Sequence, residues 1–383
     1  MKIGLVGYGK MGKSIFHLLS SAGLEVTVQV TSQEKSDQNN LQQKTRLQRG
    51  LRRGLLDESQ VASRLATQKF TPRLGDLKDR DLVIESIPED QEKKSRLYRE
   101  LEKTVSPESM IVSNSSSLSL NALAQSLDRP ERFCGFHFFH PIPLTSVIEI
   151  IRWDRVSSRT LEILSQFSRS LGRIPLLVKD GPGSVLNAIL ACECCEALYI
   201  LEQGFASPSE VDRIAGRFFR IGPCESLDII GIAFFAELFE RTTIVRPEGV
   251  TMPSLLFKLV ADGRKGRDWG KGIFLYVDQK EKDDAPSYYF NPHQSHSYET
   301  AGRDAETIAR RLLFALLCGA LFVLDRKLAP AEALDLGIKD ILGMKDGPIT
   351  LMIAMGKERL REELLSLATT VGPRFDPALA DVL

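Results

Sequence analysis

Several features that mark specialised classes of protein are scarce in this chain of 383 residues. Lysine plus arginine number 50, and so do aspartate plus glutamate, so the net charge is zero and no basic field exists to hold nucleic acid or an anionic membrane. The six cysteines are few for the length and contain one C-x-x-C spacing, Cys192 to Cys195, with no second one to pair with it, which favours reduced thiols over a disulfide framework. The C-x-C-C spacing of Cys192, Cys194 and Cys195 suits no ordinary zinc site, and no metal is expected.

Long apolar runs are also lacking. The longest, residues 312–324, has 13 residues, whereas a helix that crosses a bilayer needs about 20. The N-terminal sequence MKIGLVGYG predicts a strand and a glycine turn rather than a signal peptide. We therefore expect a cytoplasmic protein of two or three domains, with neither nucleic acid nor a membrane as a partner.

The N-terminal part alternates short apolar segments with helical patterns. Strands are predicted at residues 3–6, 26–30, 82–84, 110–112 and 133–136. A polar helix is predicted from Ser32 to Arg53, after which Gly54 breaks the pattern and Asp57 can cap a second helix. This alternation predicts an α/β fold, in which a doubly wound, Rossmann-type parallel sheet occupies residues 1–180 and a helical hairpin is inserted at about 34–67.

The C-terminal part is mostly helical. We predict a first helical domain at 181–278, a polar linker at 279–300 and a second, degenerate helical repeat at 301–383. Several residues of the first helical domain recur in order at an offset of 123 to 125: Leu201-Glu202, Ala206, Asp212, Gly222-Pro223 and Gly231 correspond to Leu324-Asp325, Ala329, Asp335, Gly347-Pro348 and Gly356. The matches predict an all-α region built from two related repeats.

A glycine-rich turn separates the first predicted strand from the first predicted helix. It spells G-x-G-x-x-G over Gly7, Tyr8, Gly9, Lys10, Met11 and Gly12. In such a motif the first glycine permits a tight turn, the second lets the backbone approach a pyrophosphate, and the third lets helix and strand pack closely. The helix N-terminus also offers free N–H groups to phosphates. We expect a dinucleotide here; a purely structural turn is the alternative.

The acidic residue that usually ends the second strand of a dinucleotide fold is absent. Val30, Thr31 and Ser32 stand there instead. A carboxylate at this place binds the adenosine ribose and repels a 2′-phosphate. The cofactor could therefore be NAD or NADP, with Thr31, Ser32 and Lys35 able to receive a phosphate. Weakened NAD binding without such a change is equally open.

A hydroxyl, an imidazole and a carboxylate follow later strands. Ser116 lies in the run S-N-S-S-S-L at 113–118, His137 in G-F-H-F-F-H-P-I-P at 135–143, and Glu149 in V-I-E-I at 147–150. Such folds bind ligands at the carboxyl ends of their parallel strands. A histidine beside a glutamate makes an acid–base pair, because the carboxylate fixes the tautomer and stabilises the imidazolium.

These runs resemble the 3-hydroxyacyl-CoA dehydrogenase family, in which S-N-T-S-S-L precedes H-F-F-N-P-x-P and then a glutamate at a fixed distance. Ser116, His137 and Glu149 match with the same spacings. Further matches are Lys179, Asp180, Pro182, Gly183 and Asn187 to K-D-x-P-G-x-x-x-N, Arg52-Arg53-Gly54-Leu55-Leu56 to an inserted hairpin, and 270–276 to G-K-G-F-x-Y. The resemblance covers residues 1 to about 276, and the remainder resembles the repeated helical domain of the large fatty-acid oxidation subunits.

The resemblance implies an oxidoreductase that interconverts 3-hydroxyacyl-CoA and 3-oxoacyl-CoA by hydride transfer with NAD or NADP. His137 would be the general base and Glu149 would orient it. Ser116 and Asn187 would bind the substrate oxygen. Further family positions fall on Glu85 and His140 at the cofactor and on Arg53 near the coenzyme A phosphates, although Arg53 also fits a merely solvated helix face.

Four positions depart from the family pattern. They are Val30, Glu92 in place of a cofactor-contacting lysine (with Lys94 two positions on), His140 in place of asparagine, and Ala188 in place of arginine. These departures leave two alternatives open, a low-activity acyl-CoA- or cofactor-binding subunit of a larger complex and a dehydrogenase of a non-CoA hydroxy acid. Short family members pair through their helical domains, so we expect either a homodimer or a monomer with an internal pseudo-dimer.

Overall fold

The computed structural model describes residues 1–181, 183–241, 247, 249–278, 281–284 and 301–383. The chain divides into two compact units, Met1–Asp180 and Gly181–Leu383. Of the predicted linker at 279–300, all but 281–284 lies outside the described residues, and so does Pro182.

One eight-stranded sheet organises the first unit. Its strand order is β3-β2-β1-β4-β5-β6-β7-β8. The strands are β1 (Lys2–Val6), β2 (Glu25–Gln29), β3 (Gln68–Thr71), β4 (Leu82–Glu85), β5 (Met110–Ser113), β6 (Phe133–Phe138), β7 (Val147–Arg152) and β8 (Ile174–Lys179). Buried apolar side chains such as Ile3, Leu5 and Val28 make these strands the core of the unit. The predicted α/β class is confirmed.

The sheet is mostly parallel, as predicted, and one pair of strands departs from that pattern. β6 and β7 pair antiparallel, whereas every other neighbouring pair is parallel. Only eight residues, 139–146, separate the two strands. A parallel crossover needs a dozen or more residues, so this short connection can only return the chain as a hairpin.

Helices flank the sheet, and the predicted caps and glycine lie at the ends of two of them. They are α1 (Lys10–Ser21), α2 (Gln33–Arg52), α3 (Glu58–Thr67), α4 (Gln91–Thr104), α5 (Leu120–Ala124) and α6 (Ser158–Ser170). Ser32 caps α2, and Asp57 and Gln60 form a capping box at α3. Gly54, with φ +67°, reverses the chain between them. α2 and α3 thus form the predicted hairpin.

The second unit is almost entirely helical. Its elements are α7 (Val185–Glu202), α8 (Pro208–Ala215), α9 (Pro223–Ile230), α10 (Ile232–Arg241), α11 (Ser254–Ala261), β9 (Phe274–Val277), β10 (Glu281–Asp284), α12 (Ala301–Asp325), α13 (Ala331–Leu342), α14 (Pro348–Met355) and α15 (Lys357–Thr370). α12 packs along α7. The segment Ala305–Asp325 is long and apolar enough to cross a membrane, but 83% of its most apolar window is buried inside the protein.

Two matching turns agree with the predicted repeat. Asp212 accepts hydrogen bonds from the N–H groups of Cys224 and Glu225, and Asp335 accepts them from Ile349 and Thr350. In both copies the glycine before the helix is required. A Cβ on Gly222 would lie 2.3 Å from the Asp212 carboxyl carbon, and one on Gly347 would lie 2.3 Å from that of Asp335. The repeat itself stays a proposal.

Candidate active site

The glycine-rich turn has the shape that a pyrophosphate needs. Gly7 has φ +97°, and a Cβ there would lie 2.5 Å from the Ser86 carbonyl oxygen. A Cβ on Gly12 would lie 2.2 Å from the carbonyl oxygen of Gly7, so helix and strand approach too closely for any other residue. Around Gly9, in contrast, a Cβ would meet nothing within 4 Å.

The first turn of α1 is open to an anion. Its N-cap residue, Gly9, makes no side-chain cap, and no acidic residue lies in the first turn. The first N–H groups of a helix lack partners within the helix, and such an end can bind an anion. Lys10 is exposed and Met11 is half-buried beside them. Tyr8 instead packs its ring against Phe70, with ring centroids 4.7 Å apart, and burial raises its pKa to about 12. These features fit a bound dinucleotide.

A cation stands where a ribose-binding acid is usual. Val30 is buried and Ser32 is occupied as the cap of α2. Thr31 is exposed, and its hydroxyl accepts a hydrogen bond from the Lys35 ammonium at 3.1 Å. Lys35 thus brings one cation to Thr31 beside the acidic Glu34, and no carboxylate stands at residues 30–32 to repel a 2′-phosphate.

His137 and Glu149 meet across the antiparallel β6–β7 pair. They are directly opposed in the register, and Nδ1 of His137 lies 2.9 Å from Oε2 of Glu149. Both residues are buried, Glu149 fully. With the carboxylate accepting the Nδ1 proton, the neutral imidazole keeps its lone pair on Nε2. Within the part of the chain that the structure describes, Nε2 makes no hydrogen bond, so it can accept a proton from a ligand.

The loop after β5, residues 114–119, which we call the serine loop, gathers around a carboxylate that the sequence did not reveal. Glu89 accepts hydrogen bonds from the backbone N–H of Ser116 at 2.7 Å and from the hydroxyls of Ser115 and Ser116 at 2.9 and 3.2 Å. Lys94 lies 3.4 Å from Glu89. Together these donors hold the pKa of Glu89 below its ordinary value although burial opposes them.

Glu85 is buried and accepts hydrogen bonds from several protein groups. Its carboxylate accepts hydrogen bonds from Lys94 Nζ at 2.7 Å, from the N–H of Ile87 at 2.6 Å, from Ser113 Oγ at 2.9 Å and from Tyr98. The side chain is fully buried. The predicted contact of Glu85 with a cofactor therefore stays a prediction, and its visible partners are protein groups. Burial and the neighbouring carboxylate raise the pKa of the Tyr98 hydroxyl well above its ordinary value.

The remaining predicted residues lie on several different elements. Asn187 is half-buried on the first turn of α7, in the second unit. Arg53 is exposed at the end of α2, and His140 is half-buried just after β6. Glu92 is exposed on α4. Among the described residues, no group of three histidine, cysteine, aspartate or glutamate side chains could hold a metal ion.

Asp180 belongs to the motif at 179–187 and contacts the end of the serine loop. Its carboxylate accepts hydrogen bonds from Ser119 Oγ at 3.0 Å and from the N–H groups of Leu120 and Asn121 at 3.0 and 2.8 Å. It thereby holds the end of the serine loop at the start of α5. No spacing rule pairs residues 60 positions apart, so a single sequence gave no signal for this contact or for that of Glu89.

Comparison with known proteins identifies the family of the chain. Residues 2–181 match the family described as "3-hydroxyacyl-CoA dehydrogenase, NAD binding domain", and residues 183–276 match "3-hydroxyacyl-CoA dehydrogenase, C-terminal domain". A probable 3-hydroxybutyryl-CoA dehydrogenase from Deinococcus radiodurans is 34% identical over 279 residues, which cover 72% of this chain and 100% of that protein. A fatty acid oxidation complex subunit alpha from Shewanella loihica is 30% identical over 323 residues, which cover 82% of this chain and 45% of that one.

Solved structures give the same result. An (S)-3-hydroxybutyryl-CoA dehydrogenase from Ralstonia eutropha is 33% identical with a TM-score of 0.66, covering 72% of this chain and 99% of that one. A 3-hydroxybutyryl-CoA dehydrogenase from Escherichia coli K12, 20% identical, has the same fold with a TM-score of 0.81, covering 100% of this chain and 98% of that one. On the two family matches and these relatives, the chain belongs to the 3-hydroxyacyl-CoA dehydrogenase family of NAD-dependent oxidoreductases.

Proposed function

We propose that the chain interconverts a 3-hydroxyacyl-CoA and the corresponding 3-oxoacyl-CoA. In oxidation, the hydride at C3 leaves the substrate, the hydroxyl proton passes to Nε2 of His137, and the C3–O bond becomes a carbonyl. Reduction reverses each step. The observation that carries the proposal is the buried His137–Glu149 pair. Nε2 of His137 makes no hydrogen bond to the described residues and can therefore accept a proton from a ligand.

The cofactor, NAD or NADP, would be held by the turn at Gly7, Gly9 and Gly12, with Tyr8, Lys10 and Met11 around it. Thr31 and Ser32 would lie at its adenosine ribose, and His140 near its nicotinamide. When bound, the nicotinamide supplies or accepts the hydride. Glu85 would act on this site through Lys94 and Glu89, since its own carboxylate is fully buried.

The substrate would be held by groups that this chain supplies around C3. Asn187 would donate a hydrogen bond to the substrate oxygen, and Ser116 would do so by turning its hydroxyl away from Glu89. Both bonds would fix C3 for transfer, because hydride transfer demands close alignment of the reacting atoms. Arg53 would contact the phosphates of coenzyme A. Glu149 would stabilise the imidazolium form of His137 as the proton arrives.

The test is reduction of acetoacetyl-CoA by the purified chain with NADH and with NADPH. We expect turnover, and we expect His137→Ala to lower it by at least about 100-fold, in line with the usual contribution of a general base. Tight binding of the CoA ester without turnover would favour the binding-subunit alternative. Turnover of free hydroxy acids that coenzyme A does not inhibit would favour a non-CoA substrate.

The proposed assembly is a monomer in which the repeat at 301–383 takes the place of a partner. The matched turns at Asp212 and Asp335 support it, together with the packing of α12 along α7 inside one unit. Light scattering at micromolar concentration should give a mass near 42.7 kDa. A tight homodimer joined through the first helical domain would contradict this substitution.

We also propose a cytoplasmic location for the chain.

A further inference from the structure

The two halves of the site lie on different strands and need a fixed spacing. Ser116 follows β5, whereas His137 lies on β6. Main-chain pairing between these strands covers only Ile111–Ser113 against Phe133–Gly135. It therefore stops before either functional residue is reached. Something beyond the regular ladder has to hold the serine loop against the histidine.

One side chain continues the sheet past that point. Oδ1 of Asn114 accepts a hydrogen bond from the backbone N–H of Phe138 at 2.9 Å. The backbone N–H of Asn114 donates to the Glu85 carbonyl oxygen, also at 2.9 Å. Asn114 thus joins the ends of β4, β5 and β6. Phe138 is 3% exposed, so its N–H would lack a partner without this bond.

The connection from Asn114 to both functional side chains is short. Phe138 follows His137 directly, and Ser116 is two residues after Asn114. A displacement of the loop by about 1 Å at such a distance can lower a rate by about 100-fold. Building on the proposed function, we propose that Asn114 is the positioning residue that sets the distance between Ser116 and His137.

The side-chain amide of Asn114 also allows a direct test, because only one of its two polar atoms makes a hydrogen bond to the described residues. Oδ1 bonds Phe138, whereas Nδ2 makes no hydrogen bond to the described residues. Asn114→Asp keeps the acceptor, removes the amide donor and adds a negative charge. Asn114→Leu keeps the approximate size and removes the acceptor. Asn121→Leu makes the same change at an exposed side chain on α5 and serves as the matched control.

We expect Asn114→Leu to lower kcat for acetoacetyl-CoA reduction by about 10- to 100-fold, with the KM for NADH or NADPH changed by less than about threefold. Asn114→Asp should stay within about threefold of the wild type in kcat, and Asn121→Leu should match it. Equal losses in Asn114→Asp and Asn114→Leu would overturn the proposal, because the acceptor oxygen that Asn114→Asp keeps would then not sustain the rate. Wild-type kcat in Asn114→Leu would overturn it as well.

Hydrogen exchange tests the same contact without any turnover. In peptides that contain Phe138, the amide should exchange slowly in the wild type and in Asn114→Asp, and at least about 10-fold faster in Asn114→Leu. Unchanged exchange would overturn the positioning role. If Asn114→Leu does not fold, the smaller Asn114→Ala replaces it in both measurements. A wild type that turns over no CoA ester would count against the proposed function alone, since exchange still decides the contact.

Discussion

Replacing Glu149 by glutamine isolates the charge that stabilises His137. The change keeps the size of a fully buried side chain and removes only the negative charge 2.9 Å from Nδ1. The imidazole becomes a cation only as it takes the proton, so this attraction is stronger in the transition state than in the ground state. A hydrogen bond to a charged group contributes about 1.5–3 kcal/mol, and 1.4 kcal/mol is tenfold in rate. We therefore expect kcat to fall by about 10- to 150-fold.

The assay is steady-state oxidation of 3-hydroxybutyryl-CoA, in which His137 starts neutral and takes up the proton. It is read by the absorbance of the reduced nicotinamide, beside a thermal melt of each variant. Glu162→Gln, at an exposed position on α6, makes the same chemical change away from the site and should leave kcat unchanged. The Glu149→Gln melt should stay close to the wild type, because glutamine keeps the size of the side chain and an acceptor oxygen for Nδ1 of His137. A wild-type kcat in Glu149→Gln would refute the role of the carboxylate. A loss of kcat that appears only with unfolding would make Glu149 structural.

Three other predictions concern stability and the cofactor. Glu196→Gln should destabilise the chain by about 3–5 kcal/mol in urea denaturation, because the buried Arg311 loses its ion-pair partner at 2.6 Å; exposed Glu306→Gln is the control. Burial raises the pKa of Asp228 from 3.8 to about 6, so between those pH values the folded state binds more protons than the unfolded state. The free energy of unfolding of the wild type should therefore fall by about 3 kcal/mol as the pH rises through this range. Asp228→Asn should lack this pH dependence. Thr31→Asp should favour NADH over NADPH by at least about tenfold in kcat/KM, and an unchanged ratio would contradict the ribose assignment.

Local signals in the sequence sufficed for much of the first unit. The glycine turn, the capped hairpin of α2 and α3, and the apolar strands β1, β2 and β4 all depend on residues a few positions apart. The segment Gln68–Thr71 was missed as a strand, because it is short and half polar and its pairing with β2 decides its conformation.

The hydrogen-bond network beneath the site was beyond sequence reasoning. Glu85 meets Ser113 across 28 positions, and Glu89 meets Ser116 across 27. Such contacts follow from the order of strands in the sheet and have no fixed spacing. The pairing of His137 with Glu149 was predicted, yet its cause was not. The short connection between β6 and β7 forms an antiparallel hairpin, and the register of that hairpin places the two side chains opposite each other.

The central claim is hydride transfer assisted by one imidazole, and isotope transfer tests it most directly. The wild type and His137→Asn are incubated with acetoacetyl-CoA and with NADH or NADPH carrying deuterium at both C4 positions. The mass of the thioester product is then measured by mass spectrometry. The account predicts one deuterium at C3 of 3-hydroxybutyryl-CoA from the wild type, formed at least about 100-fold more slowly by the variant. Product without deuterium, no product from the wild type, or equal rates in both proteins would contradict it.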